Sequence, residues 1–290
     1  MEIIIGTTAI NRPELHSDNM GEWYNWINSL DKTKYNINWF INVDYIPKLE
    51  KSVEDTIQNF QKIIQEIPTH FFTCGETGGN FLQACKRVSS NIAEFITKNK
   101  LDQDKIAIIW LEDDWKLSPN NIPLQELLET YLGNLSCINL SYIRENYIHA
   151  LAPSIINWNL WKMVHLVAWN IQESHTDPEN CVGQYFIKNF GKYKYIQNIT
   201  IINKQIKEAY LKQEFISREK SYNLYHNEKY AILKNEKNID KTQVQEFCKK
   251  EITFFRITSS FCQDIGRNFM EKYNIKKTGV QNSNQTLFYS

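Results

Sequence analysis

The chain has 290 residues, 33 basic and 33 acidic, with no formal net charge and with 42% apolar and 13% aromatic side chains. That length sustains a full hydrophobic core, and the charge balance excludes the broad cationic field that non-specific nucleic-acid binding uses. The six cysteines, Cys74, Cys85, Cys137, Cys181, Cys248 and Cys262, stand far apart with no CxxC pair, which reads as buried thiols in a reducing compartment. The opening MEIIIGTTAINRP has no basic segment ahead of a long apolar run, and no window reaches the roughly 20 apolar residues of a membrane span. A soluble cytoplasmic chain is the expectation, with no nucleic-acid partner and with the oligomeric state left open.

Residues 2–8 form an apolar burst ending in small polar residues, and Pro13-Glu14 opens a helix to about Ser29. The unit recurs: a strand over 36–44, a helix over 46–64, a strand over 69–74, and helical apolar spacing through Phe81, Ala84, Val88 and Ile92 in 80–98. KIAIIWLEDDW at 105–115 reads as a fully buried strand with acids at its end. Strands alternating with helices imply an α/β fold, a Rossmann-type sheet flanked by helices.

The pattern then changes. A helix to Tyr131 leads into short strands near 136–142, 149–152 and 162–169, so the sheet is expected to be mixed. Asp177-Pro178-Glu179 places proline in a first helical turn, predicting a helix from 178 to Phe190. Residues 211–240 are polar and lysine-rich without a period; helices are expected over 241–250 and 263–273. These elements make one core domain over 1–210 with a C-terminal extension over 211–290.

The sharpest feature is Glu112-Asp113-Asp114, closing the most apolar strand. Ligands collect at the carboxyl ends of strands in open α/β sheets. Alternation along an extended backbone puts Glu112 and Asp114 on one side and Asp113 on the other, and a close carboxylate pair asks for a cation. The other reading is three solvated acids capping the next helix.

On this motif the chain resembles the nucleotide-sugar-dependent glycosyltransferases of the GT-A fold, whose DxD-type acidic signature, often EDD, ends a central strand. The likeness spans roughly residues 3–190. It implies Mn²⁺ or Mg²⁺ held against the sugar-nucleotide diphosphate by Asp114, with Glu112 beside it, Asp113 toward the ribose or sugar, and His226 as a late ligand or else a surface histidine. It also implies a nucleoside cradle in the first strand and its loop. There Thr7 and Thr8 offer hydroxyls, and Arg12 offers a donor fork suited to phosphate. Asp44, ending the second strand, is an acceptor for base or ribose by the same likeness, or else a turn residue. Asn80, opening a helix after the Gly75–Gly79 loop, faces the same pocket. No GxGxxG or GKS/GKT segment occurs, which withdraws support from dinucleotide and P-loop readings.

Transfer to a glycan or other hydroxyl acceptor needs a base if configuration inverts, the slightly favoured outcome. Glu179 and Asp177 occupy the matching region, although either also suits a helix cap. Tyr142, Arg144, Trp158, Trp161 and Trp169 can line an acceptor cleft or simply pack, and His165 reads as core. Arg267 either pairs with Asp264 or folds back on the diphosphate. The alternatives are a nucleotidyltransferase and a non-catalytic carbohydrate-binding protein of the same fold.

Overall fold

The computed structural model describes residues 1–75, 80–118, 122–140, 151, 153–171, 178, 179, 181, 182, 185, 194–201, 209–212, 252–257 and 261–273; for Asp18, Arg267 and strand residues 194–201, 209–212 and 253–257 it describes the backbone alone. The first half runs β1 (Glu2–Ile10), α1 (Pro13–Asn28), β2 (Asn36–Asp44), α2 (Val53–Ile63), β3 (Thr69–Thr73), α3 (Phe81–Lys98) and β4 (Ile106–Glu112). Then come β5 (Trp115–Leu117), α4 (Leu124–Tyr131), β6 (Ser136–Asn139) and β7 (Ser154–Asn157). A helix comes next as α5 (Trp158–Trp161), a π-turn (Lys162–Leu166) and α6 (Val167–Ile171). The remaining elements are β8 (Lys194–Ile201), β9 (Ala209–Lys212), β10 (Thr253–Ile257), β11 (Cys262–Asp264) and α7 (Gly266–Lys272).

One sheet runs β3-β2-β1-β4-β7-β6-β10-β8-β9, and β5 with β11 makes a separate pair. Strands β3, β2, β1 and β4 are parallel, and β7 lies antiparallel between β4 and β6. The chain is therefore the expected α/β fold with a mixed sheet between helices. The apolar burst of β1 serves two cores. Ile3 and Ile5 pack into one with Trp23, Trp39, Phe60 and Leu127, whereas Ile4 joins Val88, Ile92, Ile108 and Trp161 in the other. Burial on both faces is why such strands read as continuous apolar runs.

Local chemistry sets the helix starts. Pro13 sits in the first turn of α1, where its missing amide hydrogen costs nothing. Ser52 and Asp55 form a reciprocal capping box, so α2 begins at Val53 and not at the expected Ile46. One other expectation is corrected: residues 162–169 are helical, since WNLWKMVHLVAWNI packs as a helix against α3. Of the strand expected near 149–152, all but Leu151 lies outside the described residues, and a strand follows at Ser154–Asn157.

The helix expected from 178 has Pro178, Glu179, Cys181, Val182 and Tyr185 helical among its described residues. The extension expected from 211 contributes β10, inserted parallel between β6 and β8, and β11, paired antiparallel with β5. The stretches 213–240 and 241–250 lie outside the described residues. Among described residues no helix is long and apolar enough to cross a membrane.

Candidate active site

Strand β1 has β2 on one side and β4 on the other, both parallel. The chain steps outward from β1 to β2 to β3 and then crosses to β4, so the strand order reverses between β1 and β4. Such a switch point opens a crevice at the carboxyl ends of the strands. The crevice here is lined by Thr8, Ala9, Ile10, Arg12, Asp44, Phe81, Ala84, Glu112, Asp113 and Asp114. The sequence thus brings Thr8, Arg12, Asp44 and all three acids of the 112–114 motif to one place.

The acidic corner is built around Arg12. Strand β4 ends at Glu112, and Asp113-Asp114 form a turn into β5, so the alternation expected along the motif stops one residue early. Both aspartates then reach the same guanidinium. Arg12 donates to both oxygens of Asp113, through Nε at 2.9 Å and through a short Nη2 contact, and its Nη2 also lies 3.2 Å from Oδ2 of Asp114. Asp113 further accepts from the Ile10 amide at 3.2 Å and meets Nε2 of His16 at 2.8 Å.

Side-chain exposures of 5% for Arg12 and 3% for Asp113 make this a buried ion pair. Burial alone would raise the Asp113 carboxyl, but the charge and hydrogen bonds of Arg12, followed by those of His16, outweigh it and hold the group well below the usual carboxylate range. Asp113 was expected to reach toward the donor; its oxygens instead bolt the β4 turn to the β1 loop. Helix α1 adds two ties to the same turn, from Asn19 Nδ2 to the Asp113 carbonyl at 2.6 Å and from Trp23 Nε1 to the Trp115 carbonyl at 2.7 Å.

The two threonines separate by strand alternation. Thr7 points into the α1–α2 core, where its hydroxyl accepts from Trp39 Nε1 at 2.8 Å, so it is turned away from the cleft that it was expected to line. Thr8, opposite Glu112 in register, lines the cleft, and its buried hydroxyl has no hydrogen-bond partner among the described residues. A buried polar atom of this kind calls for a ligand or water. Gly6 serves packing: a Cβ there would lie 2.7 Å from the Trp110 ring.

At the other end of the cleft, Asp44 is held by residues that the sequence did not mark. Its Oδ1 accepts from Asn42 Nδ2 at 2.8 Å and from Arg87 Nη2 at 2.5 Å, and Arg87 Nε also donates to Asn42 Oδ1 at 2.7 Å. Phe81, from the first turn of α3, supplies an apolar wall. Asn80 caps α3 by accepting from the Gln83 amide at 3.1 Å.

Other expected residues lie elsewhere. Glu179 accepts from the Leu151 amide at 2.7 Å and is not among the residues lining the cleft. Asp177, His226, Tyr142 and Arg144, together with the side chain of Arg267, lie outside the described part of the chain. Trp158, Trp161 and Trp169 are core residues, which removes them from an acceptor surface. His165 is buried as expected and stacks on Trp161 with centroids 4.3 Å apart.

Among described residues, four carboxylates line the cleft against the single guanidinium of Arg12, with Arg87 behind Asp44 as a second cation. Four negative charges against two positive ones leave a net charge of −2. No three His, Cys, Asp or Glu side chains among the described residues converge closely enough to hold a metal by themselves. The carboxylates of the cleft are hard oxygen donors, of the kind that Mg²⁺ takes one or two at a time beside phosphate oxygens.

No family model matches the chain, and no curated protein does. Solved structures resemble it in part. Residues 1–349 of S. aureus TarS in complex with UDP align at a TM-score of 0.41 and 8% identity, over 64% of this chain and 55% of that one. Mouse xyloside xylosyltransferase 1 aligns at 0.35 and 10%, over 56% and 69%. A 4-diphosphocytidyl-2C-methyl-D-erythritol synthase aligns at 0.32 and 12%, over 63% and 84%. The chain spans about half the length of the TarS 1–349 structures that it matches, 49% and 55%. At this depth the likeness carries no argument about activity.

Proposed function

We propose that the chain is a glycosyltransferase that moves a sugar from a nucleoside diphosphate, UDP or GDP, to a hydroxyl of a glycan or another acceptor. One observation carries the reading: a cleft at the switch point of the sheet whose lining has four carboxylates and one guanidinium. A diphosphate enters such a cleft only with a cation between itself and the acids. Asp114 and Glu112 would hold Mn²⁺ or Mg²⁺, which when bound supplies the positive charge that a leaving diphosphate requires.

The remaining assignments follow the shape of the cleft. The unpartnered Thr8 hydroxyl, the Phe81 ring and the Asp44 carboxylate suit a nucleoside. Asp113 acts through Arg12 and the β1 loop as a positioning residue. In the transfer, the bond from the anomeric carbon to the β-phosphate oxygen breaks and a bond to the acceptor oxygen forms. The acceptor proton leaves to a base; Asp177 is the remaining candidate if configuration inverts, since Glu179 is bonded to the Leu151 amide and does not line the cleft.

A panel of UDP- and GDP-sugars with and without Mn²⁺, read by thermal shift and sugar-nucleotide hydrolysis, tests the proposal. Stabilisation and turnover by one nucleotide class only when Mn²⁺ is present is the expected result. Release of pyrophosphate from a nucleoside triphosphate, or no response to any donor, would overturn it.

A further inference from the structure

We infer that the C-terminal segment 261–273 is a working part of the acidic site and that Gly266 positions the Asp114 carboxylate; this rests on the cation-binding reading of Asp114. The β5–β11 ladder pairs Trp115 with Asp264 and Leu117 with Cys262. It continues one step further, with the Ile265 amide donating to the Asp114 carbonyl at 2.8 Å. That bond lays the first residue of α7, Gly266, directly on the Asp114 side chain. A Cβ at 266 would collide with Oδ2 of Asp114 and lie 2.6 Å from both its Cβ and its Cγ.

Space, not backbone conformation, requires this glycine, because among the described residues Gly75 is the glycine with positive φ. Rotating the carboxylate does not relieve a contact to Asp114 Cβ, so a side chain at 266 has to displace the turn itself. The same segment reaches the other partner of Asp114. The Phe269 ring lies 5.6 Å from the Arg12 guanidinium, and the Ile265 contact and the Asp113 amide bond to the Thr8 carbonyl at 3.1 Å fix the turn from two sides. The missing side chain at Gly266 thus gives Asp114 its room beside Arg12 in the cleft lining.

The test combines a thermal cycle with Mn²⁺ binding. Gly266→Ala at an ordinary helical position would raise the melting temperature; here it is expected to lower it in the wild-type background. In an Asp114→Gly background, where the three atoms nearest that Cβ are gone, the same change is expected to lower it no further. Asp114→Ala keeps the Cβ contact and should rescue only in part.

Mn²⁺ binding is then followed by electron paramagnetic resonance with UDP present, below the melting temperature of each variant. Gly266→Ala is expected to bind Mn²⁺ at least tenfold more weakly than wild type. Equal Mn²⁺ affinity in folded Gly266→Ala, or an equal thermal cost in both backgrounds, would overturn the inference while leaving the cation site standing. Absence of Mn²⁺ binding in wild type with UDP would overturn the functional reading itself and, with it, the role of Gly266 toward a cation. If Gly266→Ala does not fold, the Asp114→Gly/Gly266→Ala double variant decides, since failure of that variant as well would show that Asp114 is not what the glycine accommodates.

Discussion

Asp113→Asn is the perturbation that most clearly separates the scaffold of the acidic corner from its chemistry. The carboxylate accepts from Ile10 N, Arg12 Nε and Arg12 Nη2 and meets His16 Nε2. An asparagine oxygen can replace Oδ2, but its amide then faces Arg12 Nη2 donor to donor. Arg12, 5% exposed, would keep Asp114, at 3.2 Å, as its counter-charge. Breaking a buried pair costs about 3–5 kcal/mol, and because Asp114 remains we take about 3 kcal/mol. For a domain of this size that is a fall in Tm of about 6–12 °C.

Calorimetry and urea melts with an unchanged m value provide the measurement. Arg12→Met in the Asp113→Asn background should recover part of the loss, with a coupling of at least about 1.5 kcal/mol. An Asp113→Asn chain within about 0.5 kcal/mol of wild type, or strictly additive changes, would refute the account of the corner as a buried pair.

Acid should reveal the same group. Its carboxyl is held low in the folded chain, so its contribution is complete above the unfolded carboxyl pKa of about 3.9 and is lost as pH falls through the folded value; melts from pH 5 to 2 should fall more steeply for wild type than for Asp113→Asn. Thr8→Val should leave stability within about 0.5 kcal/mol and raise the donor KM roughly fivefold, the worth of one hydrogen bond. Thr7→Val should do the reverse, costing about 1–3 kcal/mol by orphaning the Trp39 indole while KM stays constant. Gly6→Ala should cost about 1–3 kcal/mol through overpacking against Trp110, with no effect on donor selectivity.

The first half of the fold was legible because β1, β2 and β4 are buried on both faces and α1 and α3 have marked starts at Pro13 and Asn80. The stretch 158–171 was not, since tryptophan, valine and leucine fill it so evenly that neither period shows. The three-residue β5 and β11 are too short to carry a pattern at all. The place of the site was legible from three acids on one apolar strand. Its internal wiring was not: Arg12 meets Asp113 across 101 positions of sequence, and Arg87 meets Asp44 across 43. Alternation did separate Thr7 from Thr8, yet only the packing of Trp39 tells which of them faces the cleft. Nothing around Gly266 in the sequence shows that Asp114 lies against it.

On the proposed function, a cation held by Asp114 and Glu112 lets a nucleoside diphosphate into an acidic cleft. Mn²⁺-dependent turnover of UDP- and GDP-sugars by wild type and by Asp114→Asn tests it most directly. Turnover is expected to require Mn²⁺ in wild type and to fall by about 10²-fold or more in Asp114→Asn at matched folding. Undiminished metal-dependent turnover in Asp114→Asn would contradict it.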